Sequence, residues 1–182
     1  MNVDVLFYFS KSKDVAPGKG VNERVENPRV YTSLSKVKDW RKKLSNFYIA
    51  PFELDGLMWN SVEHYYQESK FKKNNPQFYK QFSVESKSQI SKDPGMAKSA
   101  GGKTGKYKGK VIRDKSIVID PGYDSKEVML QAMGAKFSQN KELGDMLLMT
   151  RSAELWHATR GVPKHRVFSL EKVRSCLRES KS

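Results

Sequence analysis

The chain alternates between short apolar runs and long polar stretches, and the spacing of the apolar residues predicts its elements. The run over residues 3–9, broken only by Asp4, predicts a first β-strand. Three later segments, residues 125–138, 141–149 and 170–177, carry apolar residues at helical spacing. We expect these apolar stripes to form the core.

Turn and cap residues mark further elements between these runs. The apolar-rich residues 52–54 and 57–59 flank Asp55-Gly56, a dipeptide typical of tight hairpins, and predict a short strand pair. A further short helix is predicted to carry Lys98. Its start is marked by the N-cap residue Asp93 and the first-turn Pro94, and its end by Gly101-Gly102.

A polar stripe is predicted on the helix that follows the strand pair. Asn60 is a favoured N-cap residue, and Glu63 three residues later completes the spacing of a capping box, so we expect the helix to begin near Asn60. Glu63, Gln67 and Lys70 then lie within roughly 60° of arc at 3.6 residues per turn. Two interpretations stay open: a cap with solvated polar neighbours, or the wall of a cleft in which a carboxylate meets a reacting carbon.

Composition narrows the class of partner. The 182 residues suffice for one domain, residues 1–182, and the formal net charge of +14 favours phosphate-bearing partners, either a small metabolite or nucleic acid. The single Cys176 excludes an intramolecular disulfide and a cysteine cluster for zinc. The sequence contains neither a membrane span nor a signal peptide, so we expect a cytoplasmic or nuclear protein.

Two polar segments lie outside the predicted elements. Residues 11–43 are expected to form a long polar excursion after the first strand. Residues 101–115 form a basic Gly/Lys loop, which is either a solvated loop or a rim that attracts phosphates. We assign this loop to steering rather than to chemistry.

Three sequence blocks resemble the YbiA-like N-glycosidases of the NADAR superfamily, and they occur in family order over roughly residues 44–160. The N-terminal residues 7–20 also resemble the start of members encoded by large DNA viruses. The blocks are residues 44–71, which include Ser61-Val62-Glu63-His64-Tyr65-Tyr66-Gln67, then Pro94-x-x-Ala97-Lys98-x-x-Gly101, and then Val128-Met129-x-x-Ala132-x-x-Ala135-Lys136-Phe137.

The resemblance implies a fold and an activity. The fold it implies is a compact, predominantly helical α+β domain with a small β component. The activity is hydrolysis of the N-glycosidic bond between a phosphorylated ribose and a base. Similar proteins act on phosphoribosylamino-pyrimidine intermediates of riboflavin biosynthesis, and related members remove ADP-ribose from guanine. No metal or cofactor is implied.

The resemblance also suggests site residues. Glu63 is the candidate catalyst, because a carboxylate beside C1′ stabilises oxocarbenium-like charge and activates water. Asn46 either holds ribose hydroxyls or the water, or serves only a turn. Phe47 and Trp59 either stack on the base or pack in the core. The candidates for binding the 5′-phosphate are Lys70, Lys98 and Arg160.

Two departures from the family pattern affect this assignment. Bacterial members carry a tryptophan where this chain has Pro121-Gly122-Tyr123, so Tyr123 is a substitute stacking residue. Their C-terminal aspartate is also absent, and His157 or Arg160 is the candidate second partner of Glu63; a structural role for His157 stays open.

Two other functions remain open at this level. One is an ADP-ribosyl glycohydrolase acting on guanine in nucleic acid, to which the positive charge would supply attraction. The other is a non-enzymatic nucleotide or nucleic-acid binding module in which the altered C-terminal segment has abolished turnover.

Overall fold

The structure is a computed structural model that describes residues 1–182, and its internal contacts divide the chain into two units. Unit 1 comprises residues 1–48 and 137–182, and unit 2 comprises residues 49–136. The strands are β1 (Val5–Tyr8), β2 (Phe52–Leu54), β3 (Leu57–Trp59), β4 (Lys106–Tyr107), β5 (Lys110–Val111), β6 (Glu154–Thr159) and β7 (Val162–Arg166).

Helices make up more of the chain than strands do. They are α1 (Thr32–Ser35), α2 (Trp40–Leu44), α3 (Val62–Glu68), α4 (Pro76–Lys80), α5 (Gln89–Lys92), α6 (Pro94–Ala100), α7 (Ser125–Gln139), α8 (Lys141–Met149) and α9 (Phe168–Ser180), with 3₁₀ helices at Pro28–Tyr31 and Val84–Ser86. The three helices predicted from apolar spacing and the capped helix carrying Lys98 are thereby confirmed as α7, α8, α9 and α6. No helix has the length and apolar character needed to cross a bilayer.

Unit 1 is built on a three-stranded sheet in the order β1, β6, β7. The first strand is confirmed and runs parallel to β6, with Leu6 opposite Leu155 and both side chains fully buried. Strand β7 returns antiparallel to β6. Helix α9 buries Leu170 and Val173, so the apolar stripe predicted there does face the core of this unit.

The polar excursion of residues 11–43 contains more order than its sequence indicates. It includes a 3₁₀ helix, α1 and α2, and it buries the large apolar side chains of Tyr31, Leu34 and Trp40. The Tyr31 hydroxyl donates a 2.7 Å hydrogen bond to Asp4, beside β1. Tyr31, Leu34 and Trp40 lie on separate elements of only four or five residues, which explains why the pattern alone predicts only an excursion.

Glu23 fastens that excursion to β1. One of its carboxylate oxygens accepts from the Phe7 backbone N–H at 3.0 Å, and the other accepts from the N–H groups of Gly18 and Gly20 at 2.9 and 3.0 Å. The Arg41 guanidinium of α2 donates to both oxygens, at 2.6 and 3.1 Å. Charge-assisted bonds of this fork geometry are stronger than neutral ones, so Glu23 and Arg41 organise the segment.

Unit 2 contains two small hairpins and the helices around them. Strands β2 and β3 pair antiparallel across Asp55-Gly56, whose φ angles of 55° and 77° fit the two-residue hairpin turn that the dipeptide predicts. The basic Gly/Lys loop contains the second hairpin, β4 and β5, with Lys108-Gly109 at its turn. Helix α6 begins at the Asp93 cap, whose side chain accepts from the Gly95 N–H at 2.8 Å.

Candidate functional site

The cap of α3 is Ser61, which corrects the predicted cap at Asn60. Ser61 has extended φ and ψ angles of −154° and 164°, and its hydroxyl accepts from the His64 N–H at 3.3 Å. Asn60 is committed elsewhere, because its side-chain amide donates to the Ser91 carbonyl at 2.8 Å and its own carbonyl accepts from the Ala50 N–H. Glu63 therefore does not occupy the closing position of a capping box.

His64 is a structural histidine that locks the start of α3. It is fully buried, with Nε2 2.9 Å from the Ile90 carbonyl and Nδ1 2.7 Å from the Ser61 hydroxyl. A carbonyl can only accept, so we assign the proton to Nε2, and Nδ1 then accepts from Ser61. Burial lowers the pKa of His64 to about 4, which keeps it neutral at physiological pH.

Glu63 is a buried carboxylate held by one amide. The residue is 7% exposed, and Oε1 accepts a 2.7 Å hydrogen bond from the Nε2 of Gln67, one turn along α3. Burial raises the pKa of Glu63, while the hydrogen bond from Gln67 and the positive charges of Lys98 and Lys70 oppose that rise. A buried carboxylate with a raised pKa is a stronger base than an exposed one and is characteristic of functional sites.

Lys70 and Lys98 supply positive charge around Glu63. Lys70 lies beyond the end of α3 at Glu68, is half-buried, and donates from Nζ to the Gly101 carbonyl at 3.1 Å. Burial lowers the pKa of Lys70, and the charge of Glu63 works against that effect. Lys98 is exposed on α6. The predicted stripe of Glu63, Gln67 and Lys70 is confirmed for its first two members by their hydrogen bond.

Arg113 closes the C-terminal end of α6, a role that no sequence pattern predicts. Its guanidinium donates to the carbonyl oxygens of Ala100 and Gly102 at 2.7 and 2.8 Å. The last carbonyls of a helix lack partners within the helix, so a cation there satisfies them and interacts favourably with the helix dipole. Arg113 and Lys70 together fix the backbone around Gly101.

Tyr66 and Tyr123 form an aromatic pair beside Lys70. The Tyr123 hydroxyl donates to that of Tyr66 at 3.1 Å, and the two rings meet edge to face with centroids 6.4 Å apart. Lys70 Nζ lies 5.2 Å from the centre of the Tyr66 ring. Tyr123 is partly exposed and contacts Tyr66, whose ring lies beside Lys70. The proposed role of Tyr123 in stacking on the base stays a prediction.

A cleft of about 390 Å³ opens in unit 2, and Tyr123 forms part of its wall. Glu63 is not among the lining residues, because Tyr65 and Ser69 face the cleft from a different side of α3. The other lining residues are Asp55, Lys72, Lys73, Asp120, Pro121, Gly122, Asp124, Val128 and Gln131.

The cleft contains a hydrogen-bonded group around Asp55. Tyr65 and Lys72 both donate to Asp55 Oδ2, at 2.6 and 2.8 Å. Burial acts to raise the pKa of Asp55, but these two hydrogen bonds outweigh it and the pKa is lowered. The neighbouring Glu68 is almost fully buried, its Oε2 has no hydrogen-bond partner, and burial raises its pKa to about 8. Glu68 has no signal in the sequence, since its spacing is that of any helical glutamate.

Trp59 packs in the core, the second of the two roles that the sequence left open for it. Its side chain is fully buried and its indole N–H donates to the Leu54 carbonyl at 2.9 Å. The ring meets Tyr65 edge to face, with centroids 5.5 Å apart. An enclosed ring whose donor is satisfied presents no face to a ligand.

The remaining predicted site residues belong to unit 1. His157 lies on β6, packs edge to face against Tyr8 with centroids 5.5 Å apart, and has His165 of β7 5.4 Å away. Arg160 is exposed in the turn that joins β6 to β7. Asn46 and Phe47 are partly exposed and follow the end of α2. The functional roles of these four residues stay predictions.

Comparison with known proteins agrees with the predicted resemblance. The model of the NADAR domain matches residues 34–168. The structure is similar to the NMR structure of the Escherichia coli protein YbiA, with a TM-score of 0.58 and 25% identity over 78% of this chain and 80% of that chain. No curated protein gives a significant match. The predominantly helical α+β fold is confirmed, and because the matched segment exceeds half of its length, the chain belongs to the NADAR domain family.

Proposed function

We propose that this protein is an N-glycosidase that hydrolyses the bond between a phosphorylated ribose and a base. The observation that carries the proposal is the buried Glu63, held by Gln67 and flanked by the cations Lys70 and Lys98. The substrates we propose are phosphoribosylamino-pyrimidines of the riboflavin pathway. Family membership supports the reaction class.

The reaction needs a base and a counter-charge at one carbon. Ionised Glu63 takes a proton from water, the water oxygen forms a bond to C1′, and the bond from C1′ to the base nitrogen breaks. The leaving nitrogen takes up a proton, so that the products are ribose phosphate and free base. The same carboxylate stabilises the positive charge that develops on C1′.

The surroundings of Glu63 adjust it to this task. Burial raises its pKa and makes it a stronger base, whereas Lys98 and Lys70 favour the ionised form that the mechanism requires. Catalytic activity should therefore rise with pH through a pKa above the ordinary carboxyl value. A wholly exposed carboxylate would be ionised more easily but would be a weaker base.

Phosphate and base are assigned to the groups beside Glu63. Lys70 and Lys98 are the proposed ligands of the 5′-phosphate, since ammonium groups form charge-assisted hydrogen bonds with phosphate. Tyr123, supported by Tyr66, is the proposed stacking residue.

Release of free base tests the proposal. Purified protein is incubated with a phosphoribosylated aminopyrimidine, with and without a chelator, and the products are separated by chromatography. We expect base release that the chelator does not affect and that Glu63→Gln slows on the order of 10²- to 10⁴-fold. An enzyme that releases no base from this substrate or from ADP-ribosylated DNA would overturn the N-glycosidase assignment and leave a binding module.

A second substrate, ADP-ribosylated guanine in nucleic acid, is favoured by one feature. Directly after Gly101, the segment with β4 and β5 exposes four lysines, namely Lys103, Lys106, Lys108 and Lys110. Lysines that neutralise phosphates make binding strongly salt-dependent. If nucleic acid is the substrate, replacing these lysines by glutamine should weaken binding to ADP-ribosylated DNA and flatten its salt dependence, and should leave turnover of the free nucleotide unchanged.

A further inference from the structure

The two ends of the Gln67 side-chain amide have unequal surroundings. Its Nε2 donates to Glu63 at 2.7 Å, whereas its buried Oε1 has no hydrogen-bond partner. The residue is only 4% exposed. A buried amide oxygen without a donor destabilises the fold, and such groups in native proteins call for a functional explanation.

Gly101 faces the oxygen end of this amide. A Cβ atom at residue 101 would lie 2.0 Å from Gln67 Oε1 and 2.8 Å from its Cδ, far inside contact distance. The φ and ψ angles of Gly101 are −85° and −4°, which any residue adopts, so its backbone conformation does not require glycine. The space taken by the Gln67 amide is what requires it.

The backbone at Gly101 has little freedom to retreat from a larger side chain. Lys70 donates to the Gly101 carbonyl at 3.1 Å, and Arg113 holds the carbonyls on either side of it. A side chain at residue 101 would therefore displace Gln67 rather than the end of α6. Displacement of Gln67 removes the hydrogen-bond donor to the Glu63 carboxylate.

We propose that Gln67 is a positioning residue that orients the carboxylate of Glu63, and that Gly101 provides the seat for its amide. This inference rests on the proposed function of Glu63. With its oxygen against Gly101, the amide turns its N–H groups toward Glu63, and the reversed orientation would set two oxygens against each other. Gln67 acts through its hydrogen bond to Glu63 and is not itself the base.

The pH profile distinguishes positioning from mere packing. The hydrogen bond from Gln67 lowers the pKa of Glu63, so its loss should move the acid limb of activity to higher pH. The charged groups that act on Glu63 are Lys98 of α6 and Lys70 after α3, with Arg113 acting on Lys70. None of these is altered by substitution at residues 67 or 101.

The experiment compares Gly101→Ala, Gln67→Ala, their double variant and Gln67→Met, which keeps a similar volume and adds no charge. Gly134→Ala is the matched control, because a Cβ there meets nothing within 4 Å. Misplacing a catalytic group by about 1 Å costs on the order of 10²-fold in rate. We expect each single alanine variant to lower kcat about 10- to 100-fold with KM little changed, and the control to behave as wild type.

The double variant decides whether Gly101 acts through Gln67. Once the amide is absent, alanine at residue 101 has nothing left to displace, so the double variant should be about as active as Gln67→Ala alone. Effects that multiply in the double variant would overturn the proposal. Gln67→Met retains a similar volume without the donor or a new charge and should reproduce the shift of the acid limb even if Gly101→Ala does not fold.

A carboxyl ¹³C titration of Glu63 separates this proposal from the proposed function. Gln67→Ala and Gly101→Ala should both raise the titration midpoint of Glu63, and Gly134→Ala should not. If wild type releases no base but the midpoints move as expected, the proposed function fails and the positioning contact stands. Unchanged midpoints in both variants would overturn the positioning role whatever the activity.

Discussion

Two buried carboxylates, Glu23 in unit 1 and Glu63 in unit 2, have very different donors around them. Glu23 accepts five hydrogen bonds, three from backbone N–H groups and two from the Arg41 guanidinium. Glu63 accepts one from the neutral amide of Gln67, and Lys70 and Lys98 act on it by charge. The first carboxylate has no remaining capacity for a ligand, while the second keeps capacity to accept a proton or a hydrogen bond.

The comparison shows that the two buried carboxylates differ in the number of donors around them. A carboxylate whose oxygens all accept from donors of the fold has no lone pair left for a ligand. A buried carboxylate with few donors keeps a raised pKa, at a cost to stability that function explains. Glu68 extends the comparison, since its Oε2 has no partner and burial raises its pKa to about 8.

The largest effect is expected for Glu63→Gln. Loss of the negative charge should lower kcat on the order of 10² to 10⁴-fold with little change in KM, the range for loss of a general acid or base. The free energy of unfolding should change by less than about 1 kcal/mol, because glutamine still accepts from Gln67 and Ser61 supplies the helix cap. Steady-state kinetics and urea unfolding measure the two quantities. Normal turnover would return Glu63 to a structural role.

Arg41→Met tests the opposite member of the comparison. Removing the guanidinium leaves Glu23 buried without its counter-charge, and breaking a buried pair in this way costs about 3–5 kcal/mol. Urea unfolding should show that loss. The control is Lys42→Met, because the neighbouring pair of Lys42 with Asp39 is partly exposed and pairs screened by solvent add little to stability. Equal effects of the two variants would contradict the organising role of Glu23 and Arg41.

Glu68→Gln should reveal a pH-dependent gain in stability. Its pKa rises from 4.5 in the unfolded chain to about 8 in the fold, so its contribution to stability is fully present below pH 4.5 and is lost as pH rises through about 8. The variant lacks this loss and should be more stable than wild type by on the order of 1–3 kcal/mol at pH 9, with little difference at pH 4.5. Urea unfolding at both pH values measures it, and a pH-independent difference would contradict the buried, protonated state.

Lys70→Ala and Lys98→Ala test the proposed phosphate ligands. Each should raise KM about tenfold, near 1.4 kcal/mol, with a smaller effect on kcat. The dephosphorylated nucleoside should be a poor substrate for wild type. Lys92→Ala, at an exposed lysine on the neighbouring α5, serves as the control. Equal turnover of phosphorylated and dephosphorylated substrate would refute the assignment.

Ser61→Ala should have the smallest effect. Removing the hydroxyl leaves the His64 N–H and ring without their partner and should lower the free energy of unfolding by about 1 kcal/mol. The large loss of kcat expected for Glu63→Gln should not accompany it. Thermal unfolding of Ser61→Ala and Glu63→Gln measures the two losses of stability side by side. A loss in Glu63→Gln without one in Ser61→Ala would show that Glu63, and not Ser61, caps the helix.

The sequence by itself determined the elements whose signals are local. Periodicity, turn residues and cap residues act within a few residues of chain, so the sequence alone predicts the elements that depend on them. These elements are strand β1, the hairpin at Asp55-Gly56, helix α6 with its Asp93 cap, and helices α7 to α9. Helical spacing also predicts the polar stripe of Glu63 and Gln67. The family resemblance then suggests the reaction in which Glu63 takes part.

Only the tertiary structure decided which local signals prevailed and which distant residues met. Asn60 does not cap α3, because its side-chain amide donates to the carbonyl of Ser91, 31 residues away. The packing of unit 2 buries the Trp59 ring. The ion pair between Glu23 and Arg41 helps to order residues 11–43. The contact of Gln67 with Gly101 joins two helices. Such contacts depend on how elements distant in the sequence pack together, and local sequence patterns do not predict that packing.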